Sequence, residues 1–242
     1  MDNVFTGIWK QVRKLYYPYY RYIKNRKIDS LRSGKRKEID LDEIIPDRRE
    51  VYNEPIEQVK QIAIRMLQCI DHLSLKYDFK YFLAYGTLIG AVRHKGFIPW
   101  DDDIDIFMSE DQFNRFLQAS VNLPDCFKIF NMGYDFFKVM DPFSIISKDG
   151  KRGVAIDIFI LREKKQQMYF RNVHNFKILS SDKGDWFPGV KVPFENYRFP
   201  IPSNAAKILT SIYGDYMQLP PKEQRVNPHI GQYLRIEPYR SF

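Results

Sequence analysis

Residues Tyr81 to Met108 read YFLAYGTLIGAVRHKGFIPWDDDIDIFM, and the fold turns on how this stretch divides. Tyr81–Tyr85 is a short apolar, aromatic run that suits a buried strand. Gly86-Thr87 predicts a turn into a brief helical segment over Leu88–His94, which Lys95-Gly96 and Ile98-Pro99 break. Trp100 then leads into Asp101-Asp102-Asp103-Ile104-Asp105-Ile106, four carboxylates in five positions. Such a cluster repels itself and disfavours a strand, so it persists in an apolar context mainly where a cation neutralises it. Alternation sends Asp103 and Asp105 to one face while Ile104 and Ile106 enter a core. Two carboxylates so placed suit a hard divalent cation, because Mg²⁺ takes one or two and completes its octahedron with water and substrate phosphates. Alternation also puts Asp102 off that face, as the least constrained of the acids. An isolated D-x-D is more often a surface turn. Here the upstream Gly-Thr, the basic Arg93-His94-Lys95 and the adjoining Trp100 favour a site.

Upstream, Asn53 can cap a helix that has Pro55 in its first turn. Ile56, Val59, Ile62, Ala63, Met66, Leu67, Ile70 and Leu73 form its apolar stripe. This helix is scaffold. Downstream, Ser109-Glu110-Asp111 starts another helix, and short strands are predicted at Phe127–Phe130, Phe136–Met140 and Ser144–Ser147. Lys148-Asp149-Gly150 reads as a hairpin turn into a strand over Val154–Leu161. In that strand Asp157 alone interrupts an apolar run, and a buried carboxylate needs a partner. The partner is either a structural ion pair or a shared metal. Phe170–Asn196 reads as loops with aromatic anchors at Trp186 and Phe194, an acceptor wall. A helix follows near Asn204–Tyr213 and ends at Gly214.

The run YGTLIGAVRHKGFIPWDDDIDI, Tyr85 to Ile106, resembles the signature of the LicD family of phosphotransferases, which includes fukutin-related proteins and has a nucleotidyltransferase fold. The likeness is dense there, clear at Asp157 and Tyr213–Pro221, and loose between. It implies an α+β fold, a nucleotidyltransferase-like mixed β-sheet flanked by helices. It also implies transfer of a substituted phosphate (phosphocholine, ribitol phosphate or similar) from a CDP-activated donor to a glycan or lipid-linked glycan hydroxyl, in capsule polysaccharide or lipopolysaccharide biosynthesis. Nucleotidyltransferase-fold enzymes order Gly-Ser or Gly-Thr, then D-h-D, then h-D-h, as this chain does. On that pattern Asp103, Asp105 and Asp157 are the catalytic and metal-binding acids, for Mg²⁺ or Mn²⁺, with Asp157 completing a second metal site and activating the acceptor. Gly86 and Thr87 would meet donor phosphate, as would Arg93, His94 and Lys95. The bland alternative for those three is a basic helix end favoured by the dipole, and His94 could instead position Asp101. Trp100 would stack on a base or anchor its loop, and Lys138 is a phosphate candidate by analogy to the family.

The remaining features bound this reading. The net charge is +8 over 242 residues. Residues 1–37 hold 11 Lys/Arg against 2 acids, so the body is nearly neutral. Residues 1–40 therefore form a basic aromatic N-terminal extension, and 41–242 the catalytic domain. The extension suits peripheral membrane contact or a helical arm packed on the body, and nucleic acid less well. No apolar run suits a transmembrane span, and no secretory signal is evident. Cys69 and Cys126 lack metal or disulfide spacing and read as buried thiols. These features favour the cytoplasm, and the membrane reading of the extension would put its contact on the inner face of the membrane. Two other readings compete. A D-x-D nucleotide-sugar glycosyltransferase would not jointly require Asp157 and Gly86-Thr87. A non-catalytic membrane- or polyanion-binding module would not need all three acids.

Overall fold

A computed structural model describes residue 21 and residues 23–33, 37–133, 135–147, 152–172, 177–227 and 233–236. The Lys148–Gly150 turn and most of the N-terminal extension lie outside these residues. Helix α1 (residues 23–32) lies against the body. Arg32 donates to the carbonyls of Ser120 (3.1 Å) and Phe127 (2.7 Å), and Ile28 is buried beneath it. A short helix α2 (Leu41–Ile44) is capped by the Asp40 carboxylate. Helix α3 (Pro55–Lys76) starts with Pro in its first turn and buries its apolar stripe. Its N-cap is Glu54, without a side-chain bond, rather than Asn53. The Tyr81 hydroxyl donates to Asp71 (2.9 Å), tying α3 to the chain entering the first strand. Leu67, fully buried on α3, is a site where truncation to Ala costs about 2–5 kcal/mol.

The first strand, β1 (Phe82–Leu83), passes directly into helix α4 (Tyr85–Ile89) and a π-helical turn over Gly90–His94. The helix thus begins earlier than Gly86-Thr87 predicts, because Tyr85 turns the chain with a left-handed backbone (φ +41°). Strand β2 (Ile104–Ser109) and helix α5 (Glu110–Ala119) follow, then β3 (Lys128–Gly133) and β4 (Phe136–Ser147). The two strand segments read around Asp141-Pro142 are one strand with a register shift between Asp141 and Ile146. Strand β5 (Arg152–Lys164) is longer than the sequence predicts. Phe170–Asn196 is mostly ordered elements rather than loops: β6 (Gln167–Arg171), β7 (Ile178–Asp182), helix α6 (Lys183–Trp186) and β8 (Val190–Phe194). The chain continues through β9 (Tyr197–Ile201), helix α7 (Ala205–Tyr213) and β10 (Tyr233–Ile236). Asn204 caps α7 and Gly214 ends it at φ +71°.

Among the described residues the main sheet runs β1-β2-β5-β4-β10, with β3 beside β4 and β6–β7 extending from β5. β2 and β5 are parallel and the remaining pairs antiparallel, so the sheet is mixed. Strand alternation divides its two faces. Ile104, Ile106, Ile156 and Ile158 enter the larger core with α3 and α5, whereas Phe107 and Leu161 enter a second core with Trp186 and Ile208. Trp186 is fully buried there and is core rather than an exposed acceptor wall. Cys69 and Cys126 are buried free thiols. No helix among the described residues is long and apolar enough to cross a membrane.

Candidate active site

The parallel register places Asp105 of β2 beside Asp157 of β5, and the antiparallel register places Lys138 of β4 on the other side of Asp157. Three adjacent strands therefore carry one polar row, Asp105–Asp157–Lys138. The next row on the same face is Phe107–Phe159–Phe136. The Lys138 ammonium donates to Asp157 Oδ1 (2.6 Å) and lies 5.4 Å from the Phe136 ring centroid. Asp157 thus has the ion-pair partner that its place in an apolar strand requires, and that partner belongs to the same site.

The loop before β2 supplies the other acids. β2 starts at Ile104, so Asp103 lies just outside the strand and is exposed. Asp101 is hydrogen-bonded to Asp103 and faces Gly86, where an added Cβ would come within 3.0 Å of Asp101 Oδ2. Glycine there lets α4 approach the acids. Thr87 is buried, and its hydroxyl accepts the Asp105 N–H (2.8 Å), fixing the start of β2 against α4. Asp102 is buried at 3% exposure and has a partner, in contrast to the unconstrained acid that alternation predicts. Asp102 precedes the strand, so strand alternation does not govern it.

Electrostatics single out this cluster. Burial, and then the Asp103 charge, push the Asp101 carboxyl up to about 8. Asp105 is driven well above the usual carboxylate range by burial, then by Asp103, Asp157 and Asp101, with Lys138 opposing. Asp157 is also raised, its burial outweighing the pull of Lys138. Among the described residues no three His, Cys, Asp or Glu side chains form a ready metal cage.

A second group gathers on the loop leading to these acids. An added Cβ at Gly90 would collide with the Gly96 carbonyl, so glycine permits the π turn to fold back. Arg93 donates to the Tyr216 (2.6 Å) and Gln218 (3.3 Å) carbonyls, and His94 lies beside it. Burial, then the Arg93 charge, lower the His94 proton affinity. Lys95 is exposed in a left-handed conformation (φ +60°). The loop is gripped by the β8–β9 turn: Glu195 accepts the Phe97 N–H (2.9 Å) and donates its own N–H to the Lys95 carbonyl (2.8 Å). Trp100 is half-buried beneath the Arg225 guanidinium (5.9 Å to the ring centroid). The structure thus brings Gly86, Thr87, Asp103, Asp105, Asp157 and Lys138 into one site. Arg93, His94 and Trp100 gather in the adjoining group, while Lys95 points to solvent.

Three residues of the site escape the sequence reading. Asp101 lay in the motif, but only its hydrogen bond with Asp103 marks its role. Tyr213, at the end of α7, has its hydroxyl proton held by burial, then by the charges of Asp105, Tyr85, Asp101 and Asp103, which places it beside the acids. Glu195 carries no motif; its positive φ (+53°) at a hairpin turn is visible only in three dimensions.

Residues 78–204, just over half of the chain, match the family described as LicD/FKTN/FKRP, nucleotidyltransferase domain. The chain belongs to this family. It is a LicD-type enzyme on a mixed α+β scaffold. It is 26% identical to the lipopolysaccharide cholinephosphotransferase LicD of Haemophilus influenzae, over 71% of this chain and 94% of that protein. An uncharacterized protein of Rickettsia prowazekii, RP689, is 32% identical over 48% of this chain and 43% of its own length. Among solved structures, the lincosamide antibiotic adenylyltransferase LnuA, lincomycin-bound, overlaps 67% of this chain and 92% of its own at 14% identity and a TM-score of 0.39. At that score the overlap is loose, and the fold assignment rests on the family match.

Proposed function

We propose that this LicD-type enzyme transfers phosphocholine from a CDP-activated donor to a hydroxyl of a lipopolysaccharide glycan. One observation carries the reading: the row Asp105–Asp157–Lys138, flanked by Asp101 and Asp103, concentrates carboxylates around a single ammonium. The headgroup and acceptor follow the Haemophilus relative, whose alignment covers nearly its full length.

Asp103 and Asp105 fit Mg²⁺ or Mn²⁺. Their mutual repulsion calls for a cation, and a two-carboxylate set is what an ion completed by water and phosphate takes. Asp157, with one oxygen on Lys138, is the third candidate ligand. When bound, such an ion neutralises the charge that develops on the donor diphosphate. The side chains account for the rest. The acceptor oxygen attacks the choline-bearing phosphorus, the phosphorus–oxygen bond to CMP breaks, and Asp157, with one oxygen held by Lys138, takes the hydroxyl proton. Lys138 orients Asp157 and offers charge to the phosphoryl oxygens. Gly86 and Thr87 hold α4 close to the transferring phosphate, and the half-buried Trp100 offers a face to the base. The remaining acts are positioning and exclusion of water. The acceptor is lipid-linked or finished glycan at the inner face of the membrane.

Calorimetry tests this with CDP-choline, CDP-ribitol, CDP-glycerol and UDP-glucose, each with Mg²⁺ or EDTA, on wild type and Asp103→Asn. CDP-choline should bind only with Mg²⁺, and the variant should lose that binding. Preference for UDP-glucose would move the protein to the glycosyltransferases, and preference for another CDP-alcohol would correct the headgroup.

A further inference from the structure

We propose that Arg225 and Arg93 form an anion subsite beside Trp100 that takes a phosphate group of the substrate, an inference that rests on the phosphotransfer reading for its ligand. Arg225 lies outside the matched residues 78–204, in the segment after α7.

The two guanidiniums are organised by one loop. Arg93 donates to the carbonyls of Tyr216 and Gln218, and Arg225 donates its Nε–H to the carbonyl of Pro220 (2.8 Å). These bonds leave guanidinium N–H groups over on both residues, since each carries five. Among the described residues neither guanidinium is paired with a carboxylate. They are close enough for Arg225 to be felt at Arg93, whose charged form is disfavoured first by burial and then by Arg225. Two arginines held together by carbonyls, with no acid between them, repel one another until an anion joins them. The Arg225 guanidinium lies over the Trp100 ring, and Trp100 directly precedes Asp101. Arginine forks match phosphate oxygens. The substrate thus meets carboxylates on one side and guanidiniums on the other, an arrangement suited to a diphosphate whose two phosphates part during the reaction.

The test titrates wild type, Arg225→Gln and Arg225→Lys with inorganic pyrophosphate, CDP-choline and cytidine, with a melting curve for each protein. Arg225→Gln should bind pyrophosphate and CDP-choline about tenfold more weakly, as loss of a charge-assisted hydrogen bond implies. Arg225→Lys should recover part of that loss, and cytidine should bind all three alike. Equal pyrophosphate affinity in wild type and Arg225→Gln overturns the proposal, as does failure of wild type to bind pyrophosphate. Equal weakening for cytidine also overturns it, since that would make Arg225 merely a prop for Trp100. If CDP-choline fails to bind wild type while pyrophosphate binds through Arg225, the donor assignment falls and the anion subsite stands.

Discussion

Two charged clusters share this fold, and their difference separates scaffold from chemistry. The first joins Arg49, Asp47, Asp141, Arg65 and Asp42. Arg49 reaches Asp47 (2.6 Å) and Asp141 (2.8 Å), and Arg65 reaches Asp42 (2.5 Å) and, at longer range, Asp47 (3.8 Å). Here every carboxylate meets a guanidinium. Burial works against the Arg49 and Arg65 charges, yet their acid partners outweigh it and both pKa values rise. Among the described residues the second cluster gathers Asp101, Asp103, Asp105 and Asp157 around Lys138 alone, and the pKa values of Asp101, Asp105 and Asp157 rise. The balanced cluster pins the chain before α3 to β4. The unbalanced one leaves carboxylates in excess of positive charge among the described residues.

The largest expected effect lies in the unbalanced cluster. Asp105→Asn should lower phosphocholine transfer by about a hundredfold or more, because charge stabilisation of several kcal/mol is at stake. The same variant should melt at or above the wild-type temperature without metal, since it removes a repelled carboxylate. A large fall in melting temperature would show the acid to be structural after all. Asp141→Asn should do the reverse. Opening a buried ion pair costs about 3–5 kcal/mol, measured by urea unfolding, while the folded fraction keeps wild-type turnover.

The pH dependence sharpens the contrast. Asp101, Asp105 and Asp157 hold protons more tightly folded than unfolded, so their stability contribution is full below the unfolded value near 3.8. It is lost as pH rises, through about 8 for Asp101. Metal-free protein should therefore lose melting temperature steadily between about pH 4 and 8, and Mg²⁺ should flatten the slope. An equally steep slope in Asp101→Asn would remove Asp101 from this account.

Much of the site was legible because its chemistry is local in sequence. The D-h-D run, the lone acid within Val154–Leu161 and the Pro55 and Asn204 helix starts each carry a physical signal within a few residues. What escaped depends on geometry that no local pattern encodes. Tyr85 begins α4 with a left-handed backbone that a bulky aromatic rarely adopts, so the helix start could not be read. Lys138 meets Asp157 only through the β4–β5 register. Pro142 looks like a strand break, but β4 carries it across an irregular register, where the Ser144 hydroxyl accepts the Val154 N–H (2.8 Å). Between β6 and β9 the strands are short and partly exposed, without clean alternation.

The smallest effect belongs to a third setting of the same chemistry. Lys37 and Asp125 form an ion pair at 2.9 Å, within the 2.5–3.8 Å span of the buried network, but the Asp125 side chain is 72% exposed. Water screens such a pair and ordering its side chains offsets the attraction, leaving about 0–1 kcal/mol. Lys37→Ala should therefore shift the urea midpoint by little, and 0.5 M salt should abolish even that shift (the Debye length is then only about 4 Å). A loss as large as that of Asp141→Asn would mean that Lys37 fastens the α1 segment to the body. Bond length alone does not separate the three settings. Balance of charge and access of water do: among the described residues, the half-buried Asp101, Asp105 and Asp157 outnumber the one ammonium beside them.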